Sequence, residues 1–383
     1  MLSLVNYAKC YRVQFTQLLR LLHIEYPLTI NQIEKYTILH NDIPIKDIIN
    51  LAKIQCKIKE KFPFHLHWMF TEKNAQQASH YLVAAFHGEL FKDFNIVADV
   101  CCGIGSDLLY LSNAKQYCYA IDLDKQILEY AEFNMNFFNR QNIKYLNIKA
   151  EDFKNSVEAV FIDPDRRSNY KRAINPDYYS PSFSTINKFI HNYKNVAVKL
   201  SPAFDYEQQS YNSYSYDFVS VKGELKECLL KTGNLVNAHK RRAIILPQKI
   251  CFEQQNHEET PITSIKEWIL EPDPAITRAH LVNDLAYKLN MSRIDPNIAL
   301  LTSDHEPEDI YGKKFKVKNY FEYSLKKLNQ FLKDRNIGII DIKTKGFSDS
   351  VESLRKKLKL KGNNKTLIFI VRISDKHFII EAC

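Results

Sequence analysis

Residues 97–111 read VADVCCGIGSDLLYL, and this stretch decides the fold. Residues 96–101 form an apolar run that one acid, Asp99, interrupts, and the residues after position 107 have helical apolar spacing. Between them stand Gly103 and Gly105, two of only nine glycines in 383 residues. An apolar run, a glycine turn and an amphipathic segment, in this order, predict a buried strand, a tight loop and a helix.

The same order recurs further along the chain. Apolar runs at 118–122, 143–149, 159–163 and 195–201 alternate with segments of helical spacing or polar loops, and no hairpin signal separates them. Short apolar strands joined in this way indicate a parallel sheet that is covered on both faces. The sequence therefore predicts an α/β fold with a Rossmann-like core and a parallel-dominated sheet. A further strand over 242–252 is expected to finish this sheet.

The length of 383 residues exceeds what one hydrophobic core accommodates, so several domains are expected. Apolar positions with helical spacing predict an N-terminal helical region over residues 1–90, ahead of the core at 91–255. Residues 256–310 read as a small αβ unit. Strand-like and helical segments alternate again over 311–383, which predicts a compact basic α+β domain at the C-terminal end.

Composition indicates a cytoplasmic protein. No run reaches the roughly 18 apolar residues that a membrane span requires, and the first residues lack the charged and apolar regions of a secretory signal. The eight cysteines form neither CxxC pairs nor Cys/His clusters with the spacing of structural zinc sites. We therefore expect reduced thiols, no metal and no membrane contact.

The formal net charge of +9 is unevenly distributed. Lys and Arg outnumber Asp and Glu by 18 to 7 in residues 311–383, whereas the preceding 310 residues hold 35 basic and 37 acidic side chains. The excess forms two clusters: Lys313, Lys314, Lys316 and Lys318, and then Arg355, Lys356, Lys357, Lys359 and Lys361. Phosphate contacts supply most non-specific affinity for nucleic acids, so this domain is predicted to bind one. The alternative is a solubilising lysine-rich surface.

The glycine loop has the features of a nucleoside-binding turn. In the dinucleotide fingerprint a third glycine follows at the position that Leu108 occupies here. A pyrophosphate would also be repelled by Asp107 in the first turn, whereas a sulfonium ligand with an amino group would be attracted. The loop therefore favours S-adenosylmethionine as cofactor. The candidate binding residues in the loop are Asp99, Cys101, Gly103, Gly105 and Asp107.

Acids close the second and third predicted strands. Asp122 ends the second strand, where a carboxylate can accept hydrogen bonds from both ribose hydroxyls, and Leu123 follows it. At the end of the third strand, Glu151 or Asp152 is a candidate partner of the adenine amino group; the residues leave the choice between them open. Ligands of parallel sheets lie at these strand ends.

The fourth and fifth strand ends supply the candidate catalytic residues, Asp163, Pro164, Arg166 and Lys199. Methyltransferases that act on amino groups carry the sequence D/N-P-P and an aromatic residue at the end of the fourth strand. Here Asp165 and Arg166 replace the second proline and the aromatic residue. This departure weakens the hypothesis that the methyl acceptor is an exocyclic amine of a base.

Three further observations concern the reaction. The basic run Arg166, Arg167, Lys171 and Arg172 suits phosphate positioning. Ser201 stands where a C5-pyrimidine methylase needs a cysteine nucleophile. Asp163, Lys199 and Glu227 would together suit methylation of a ribose 2′-hydroxyl, and the alternative for Lys199 is a purely structural ion pair with Asp163.

With these residues in place, the chain resembles the class I S-adenosylmethionine-dependent methyltransferases, and in particular a bacterial family with a small ferredoxin-like insert and a C-terminal THUMP-like domain. The resemblance spans about residues 60–383 and rests on QQAS, DVCCGIGSD, YAIDLD, FIDPDRR, VKLSPAFD, EPDPAITRAHLVNDLA, IDPNIALLTSD and IDIKTKGFSDSVESLRKKLKLKG. It implies a Rossmann-like methyltransferase core and RNA, either tRNA or rRNA, as the substrate. The chain departs from the family at Asp165, where a small residue is usual, and at Cys101 and Cys102, where glycines are usual.

These observations predict an S-adenosylmethionine-dependent methyltransferase that acts on RNA and binds it through the basic C-terminal domain. The alternative is a catalytically degenerate protein that keeps the nucleoside pocket and binds RNA without methyl transfer. A small-molecule or protein methyltransferase is a third interpretation, in which the basic tail has no role.

Overall fold

The computed structural model describes residues 3–168, 171–172, 175–206, 214–257 and 259–383. Tertiary contacts divide the chain into two compact units. The first comprises Met1–Tyr216 and Glu227–Ala238, and the second comprises Asp217–Lys226 and His239–Cys383. The domain boundaries expected after residues 90, 255 and 310 stay a prediction.

The regular elements alternate between helix and strand through most of the chain. The helices are α1 (Leu4–Cys10), α2 (Arg12–Ile24), α3 (Ile30–Leu39), α4 (Ile45–Lys57), α5 (Glu72–Gln77), α6 (Tyr81–Leu90), α7 (Leu108–Leu111), α8 (Lys125–Phe137), α9 (Phe183–Asn192), α10 (Pro274–Arg278), α11 (Val282–Lys288), α12 (Leu325–Asp334) and α13 (Val351–Lys357). The strands are β1 (Ile96–Val100), β2 (Tyr117–Ile121), β3 (Ile143–Leu146), β4 (Ala159–Ile162), β5 (Arg167–Ser168), β6 (Lys171–Arg172), β7 (Val196–Leu200), β8 (Ser215–Val221), β9 (Glu224–Lys231), β10 (Arg241–Leu246), β11 (Ile250–Glu253), β12 (Trp268–Pro272), β13 (Ser292–Arg293), β14 (Leu301–Ser303), β15 (Gly312–Glu322), β16 (Ile337–Lys345), β17 (Asn364–Ile373) and β18 (Lys376–Ala382). Within the described ranges, none of the helices has the length and apolar character needed to cross a membrane.

The first unit contains a sheet in the strand order β9-β7-β4-β1-β2-β3. Five of these strands are parallel to their neighbours, and β9 joins β7 in the antiparallel sense. Every residue of β4 and β7 is buried, as expected for strands that are covered on both faces. The predicted fold class, a Rossmann-like α/β core behind an N-terminal helical region, is confirmed.

The N-terminal helices share the core of this unit. α2 buries Phe15, Leu18, Leu19 and Leu22, which recur at helical spacing, and α4 buries a similar stripe. Both stripes belong to the same apolar cluster as residues of β1, β2 and α8. Burial of such a stripe, rather than helix propensity, holds short helices in place.

The second unit contains a sheet in the order β13-β14-β12-β15-β18-β17-β16. Its strands pair in the antiparallel sense, except for β16 and β17, which are parallel. Successive residues of β17 point to opposite faces: Ile368 and Ile370 join the apolar cluster that includes residues of α12 and α13, and Phe369 and Val371 join a second cluster. The helix and strand alternation expected over 311–383 is therefore present.

Two expectations about strands were wrong. The single strand predicted over 242–252 is a pair of antiparallel strands, β10 and β11, because residues 247–249 form a turn in which Lys249 adopts a left-handed backbone with φ of 58°. β8 and β9 were not predicted at all. In β9 the buried Glu227 and Lys231 interrupt the apolar pattern from which strands are recognised, so the sequence resembles an exposed segment.

Asn134 is a buried polar residue in the middle of α8. Its side chain accepts a hydrogen bond from the amide of Met69 at 2.6 Å and donates to the carbonyls of Met69 and Ile104 at 3.0 and 2.9 Å. The Ile104 carbonyl belongs to the loop that follows β1. Asn134 therefore satisfies three buried backbone groups and ties that loop to α8.

We expect Asn134→Ala to lower the free energy of unfolding by about 2–4 kcal/mol, because it leaves several buried backbone groups without partners. Asn136→Ala is the matched control: Asn136 lies on the same helix but is exposed, so a change within about 0.5 kcal/mol is expected. Urea denaturation monitored by circular dichroism measures both. Equal losses for the two variants would contradict this role of Asn134.

Candidate functional site

The carboxyl ends of the parallel strands in the first unit surround a cavity of about 920 Å³. Parallel strands all end at one edge of a sheet, so side chains far apart in sequence meet there. Ten of the thirteen candidate site residues line this cavity: Cys101, Gly103, Asp107, Asp122, Leu123, Glu151, Asp152, Asp163, Pro164 and Arg166. The other three, Asp99, Gly105 and Lys199, lie behind its wall.

The two glycines of the loop after β1 have different roles. Gly103 has a φ of 55°, its amide donates to Asp122 Oδ2 at 3.0 Å, and a Cβ at this position would meet no atom within 4 Å. The open space therefore lies on the cavity side. Gly105 has a φ of 87°, and a Cβ there would lie 3.1 Å from Met135 Cε on α8. Gly105 is therefore needed for packing of the loop, and Gly103 for access to the cavity.

Asp122 lies directly after β2 and faces the loop. One carboxylate oxygen accepts from the Gly103 amide and the other from the Asp124 amide, each at 3.0 Å. Burial raises the pKa of Asp122, and these backbone hydrogen bonds oppose the shift. Because each carboxylate oxygen has two lone pairs, Asp122 is both fixed in orientation and able to accept further hydrogen bonds from a diol.

Asp99 lies beneath the loop, at the end of β1. It is 1% exposed, and neither carboxyl oxygen has a hydrogen-bond partner among the described residues. Burial, followed by the charges of Asp107, Asp163 and Asp122, raises the pKa of Asp99 well above its usual range. Burial thus favours the protonated form of Asp99, and its two unpartnered oxygens lie under the loop after β1.

Glu151 and Asp152 both line the cavity beyond the end of β3. The Glu151 carboxylate accepts a hydrogen bond from Thr185 Oγ1 on α9 at 2.9 Å, so its position is fixed. Leu123 is 65% exposed and adds an apolar surface to the wall. Both acids stay candidates for an adenine contact, as the sequence left them.

The segment after β4 forms the other wall. Asp163 Oδ2 accepts from Lys199 Nζ at 2.7 Å, and Lys199 Nζ also donates to Ser79 Oγ at 2.8 Å. Arg166 Nη1 donates to the carbonyl of Leu200 at 3.0 Å, which fastens this segment to the end of β7. Burial alone would lower the pKa of Lys199, but the carboxylates, first of all Asp163, raise it, so the side chain is an ammonium.

The structure brings Asp163 and Lys199 together, as either interpretation of Lys199 requires. The side chains of Arg167, Lys171 and Arg172, which the sequence suggested for phosphate positioning, lie outside the described residues. In the described part of the chain, no group of three or more His, Cys, Asp or Glu side chains is arranged to hold a metal ion.

Residues ahead of β1 contribute to the cavity in a way that the sequence did not predict. Lys73, Asn74, Gln77 and Ala78 line it from α5 and the segment that follows. Gln77 Nε2 donates to Asp165 Oδ1 at 3.2 Å, which links α5 to the segment after β4. The sequence offered one signal, the QQAS motif at 76–79, but no spacing that connects it to the strand ends.

A buried ionic group behind the cavity was also missed. His87 on α6 has no exposed surface; its Nδ1 lies 2.7 Å from Asp107 Oδ1 and its Nε2 lies 2.6 Å from Glu227 Oε1. Burial alone would lower the pKa of His87, but the charge of Glu227 and the hydrogen bonds with both carboxylates raise it to about 10. The His87 cation therefore lies between two buried carboxyl groups inside the unit.

Comparisons with known proteins bear on the fold and on the methyl donor. Residues 312–382 match the family model described as THUMP domain-like. Two curated relatives, from the Mycobacterium tuberculosis strains CDC 1551 and H37Rv, are each 27% identical over 318 residues, which cover 80% of this chain and 85% of the relative. Both are named uncharacterised S-adenosylmethionine-dependent methyltransferases.

A crystal structure from Porphyromonas gingivalis W83, assigned as a methyltransferase, superposes with a TM-score of 0.76 at 18% identity and covers 96% of this chain and 97% of that one. At this identity the likeness concerns the fold alone. The curated relatives indicate an S-adenosylmethionine-dependent methyltransferase, the fold agrees with this, and residues 312–382 are similar to THUMP domains.

Proposed function

We propose that this protein transfers a methyl group from S-adenosylmethionine to RNA. The observation that carries the proposal is the cavity at the strand ends, where the glycine loop and Asp122 form one wall and Asp163 to Arg166 form the other. The methyl donor of the curated relatives, S-adenosylmethionine, is also the donor here, and it supplies a methyl group on a positively charged sulfur.

The residues present fit this donor. The cavity is lined by the carboxylates of Asp107, Asp122, Asp124, Glu151, Asp152, Asp163 and Asp165 and by the cations of Lys73, Lys149 and Arg166. An excess of carboxylates favours a cationic ligand and opposes a pyrophosphate. Asp122 would hold the ribose hydroxyls, and the open space at Gly103 would admit the amino-acid portion of the donor.

Asp163 is the residue that we expect to act on the methyl acceptor. Lys199 occupies one of its oxygens, which leaves Oδ1 to accept a hydrogen bond from an N–H or O–H of the acceptor. This contact orients the acceptor and stabilises the positive charge that develops on it as the methyl group arrives. The methylated nitrogen or oxygen would then pass its proton to Asp163 Oδ1 or to water, and the donor would leave as the neutral thioether.

The basic clusters of the THUMP-like domain support RNA as the substrate. Lys318, Lys356, Lys359 and Lys361 are exposed and form no ion pair within the described part of the chain, so their charge is available to phosphates. Other members are engaged: Lys314 pairs with Glu306 at 2.7 Å, and Lys357 with Asp349 at 3.4 Å. The number of available cations is therefore smaller than the sequence count suggests.

Asp122→Asn is expected to weaken binding of S-adenosylhomocysteine about 10- to 100-fold, because it replaces a charged acceptor of hydrogen bonds with a neutral one. Isothermal titration calorimetry measures the affinity. Asp93→Asn is the matched control, since Asp93 is exposed and precedes β1 at the opposite end of that strand. Wild-type affinity in Asp122→Asn would exclude the proposed ribose contact.

Asp163→Asn is expected to lower kcat about 100-fold while changing affinity for S-adenosylhomocysteine less than about threefold. The assay is transfer of tritiated methyl groups to total RNA from a strain that lacks this gene, with Asp93→Asn as control. If the wild-type protein binds the donor but transfers no methyl group to this RNA, the non-catalytic alternative replaces the proposal. The aromatic-free sequence DPDR at 163–166 is the feature that favours that alternative.

Replacing Lys356, Lys359 and Lys361 together with Gln should weaken tRNA binding and flatten its salt dependence. Each lysine that no longer neutralises a phosphate of single-stranded RNA reduces the slope of log K against log salt by about 0.7, so a reduction of about 2 is expected. Filter binding at several salt concentrations measures it.

The control for this experiment is a triple Gln variant at Lys35, Lys46 and Lys53, which are exposed lysines of the first unit. It removes the same net charge from the chain. An equal reduction of the slope in both triple variants would show that overall charge, and not the C-terminal cluster, determines RNA affinity.

A further inference from the structure

His87 is held between two carboxylates and has no contact with solvent. Asp107 Oδ1 lies 2.7 Å from one ring nitrogen, and Glu227 Oε1 lies 2.6 Å from the other. A carboxylate accepts hydrogen bonds and cannot donate them when ionised, so both ring nitrogens must carry hydrogens. Because the pKa of His87 is raised to about 10, this arrangement holds an imidazolium at neutral pH, and an imidazolium has no lone pair with which to act as a general base.

Asp107 connects this buried group to the cavity. It precedes the short helix α7, lines the cavity wall, and its side chain is 6% exposed. Ser79 also hydrogen-bonds to Asp107, and the Ser79 hydroxyl accepts from Lys199 at 2.8 Å. His87 and Lys199 thus approach Asp107 from two sides, one directly and one through a hydroxyl group.

The need for His87 follows from the position of Asp107. Burial raises the pKa of a carboxyl group, and at Asp99, a few residues away, it raises the pKa well above the usual range. At Asp107 the hydrogen bond and the charge of His87 reverse the effect and lower the pKa. Of these two buried carboxyl groups, only the one that contacts His87 has its pKa lowered, which favours the anion there despite burial.

We propose that His87, itself fixed by Glu227, is a positioning residue that holds Asp107 as the anionic contact for the α-ammonium group of the methyl donor. The inference rests on the proposed function, because it concerns the same donor. Asp107 belongs to the glycine loop wall, where the amino-acid portion would lie, whereas Glu151 and Asp152 belong to the wall beyond β3. Glu227 contacts no ligand in this scheme; it keeps His87 charged and oriented toward Asp107.

The test compares two ligands that differ in the amino-acid portion. S-adenosylhomocysteine carries the α-ammonium group, and 5′-methylthioadenosine lacks the whole amino-acid end. We expect His87→Gln to weaken binding of S-adenosylhomocysteine about tenfold and to leave that of methylthioadenosine within about twofold. In an Asp107→Asn background the same substitution should have no further effect on either ligand, because the two residues act as one unit.

Two outcomes would overturn the inference. If His87→Gln weakens the binding of both ligands equally, His87 only supports the fold. If His87→Gln still lowers the affinity for S-adenosylhomocysteine about tenfold in the Asp107→Asn background, His87 does not act through Asp107. Binding of neither ligand by the wild-type protein would instead refute the proposed function, so the two failures are distinguishable.

A measurement on the wild-type protein covers the case in which His87→Gln does not fold. In protein labelled with ¹⁵N-histidine, one histidine should keep both ring nitrogens protonated from pH 6 to about pH 9, with or without ligand. Glu227→Gln should lower the pH at which this histidine loses its proton. The absence of such a histidine from the wild-type spectrum would overturn the proposal.

Discussion

The site depends on one constraint, which is that the carboxyl groups buried at the carboxyl edge of the parallel sheet must be paired with cations or protonated. An unpaired charge in the interior costs several kcal/mol, so each carboxyl group there must find a partner or become neutral. At Asp99, which has no partner among the described residues, burial raises the pKa well above its usual range and so favours the neutral form. Asp107 and Asp163 instead pair with His87 and Lys199, each at 2.7 Å. Because His87 lies on α6, ahead of the sheet, the same pairing that stabilises the acids also fixes the N-terminal elements against the cavity.

The ionic part of this compensation has a defined pH range. The pKa of His87 is raised from 6.5 to about 10, so its stabilising contribution is fully present below about pH 6.5 and is lost as the pH rises through about 10. The pKa of Asp107 is lowered from 3.8, so its contribution is present above that value and is lost as the pH falls further. The pair is therefore ionised over the whole physiological range, and it serves as a fixed structural charge rather than as a pH switch.

Patterns local in sequence were predictable, and contacts between distant segments were not. The apolar runs before Asp122 and Asp163 identified strands, and parallel topology then placed both acids at one edge, as the cavity shows. β9 was not predicted from the sequence because its buried Glu227 breaks the apolar pattern of the strand. Glu227 is buried beside His87, which lies 140 residues away in the sequence. Neither the periodicity of the sequence nor the spacing of its motifs predicts such a contact. The role of Gln77 was not predicted for the same reason, because its partner Asp165 is 88 residues away in the sequence.

Acidic and basic side chains are concentrated in different parts of the chain, and this distribution limits how any RNA substrate could bind. The donor cavity carries an excess of carboxylates, while the excess of cations lies in residues 311–383. Carboxylates that favour a sulfonium repel phosphates over roughly a Debye length, about 8–10 Å. Under the proposed function, the acceptor nucleotide would therefore present its base or sugar to Asp163 while its phosphates remain in water or against cations such as Arg166. A nucleotide turned out of its stack meets this requirement, and one held within a continuous helix does not, because its phosphates flank the reacting group.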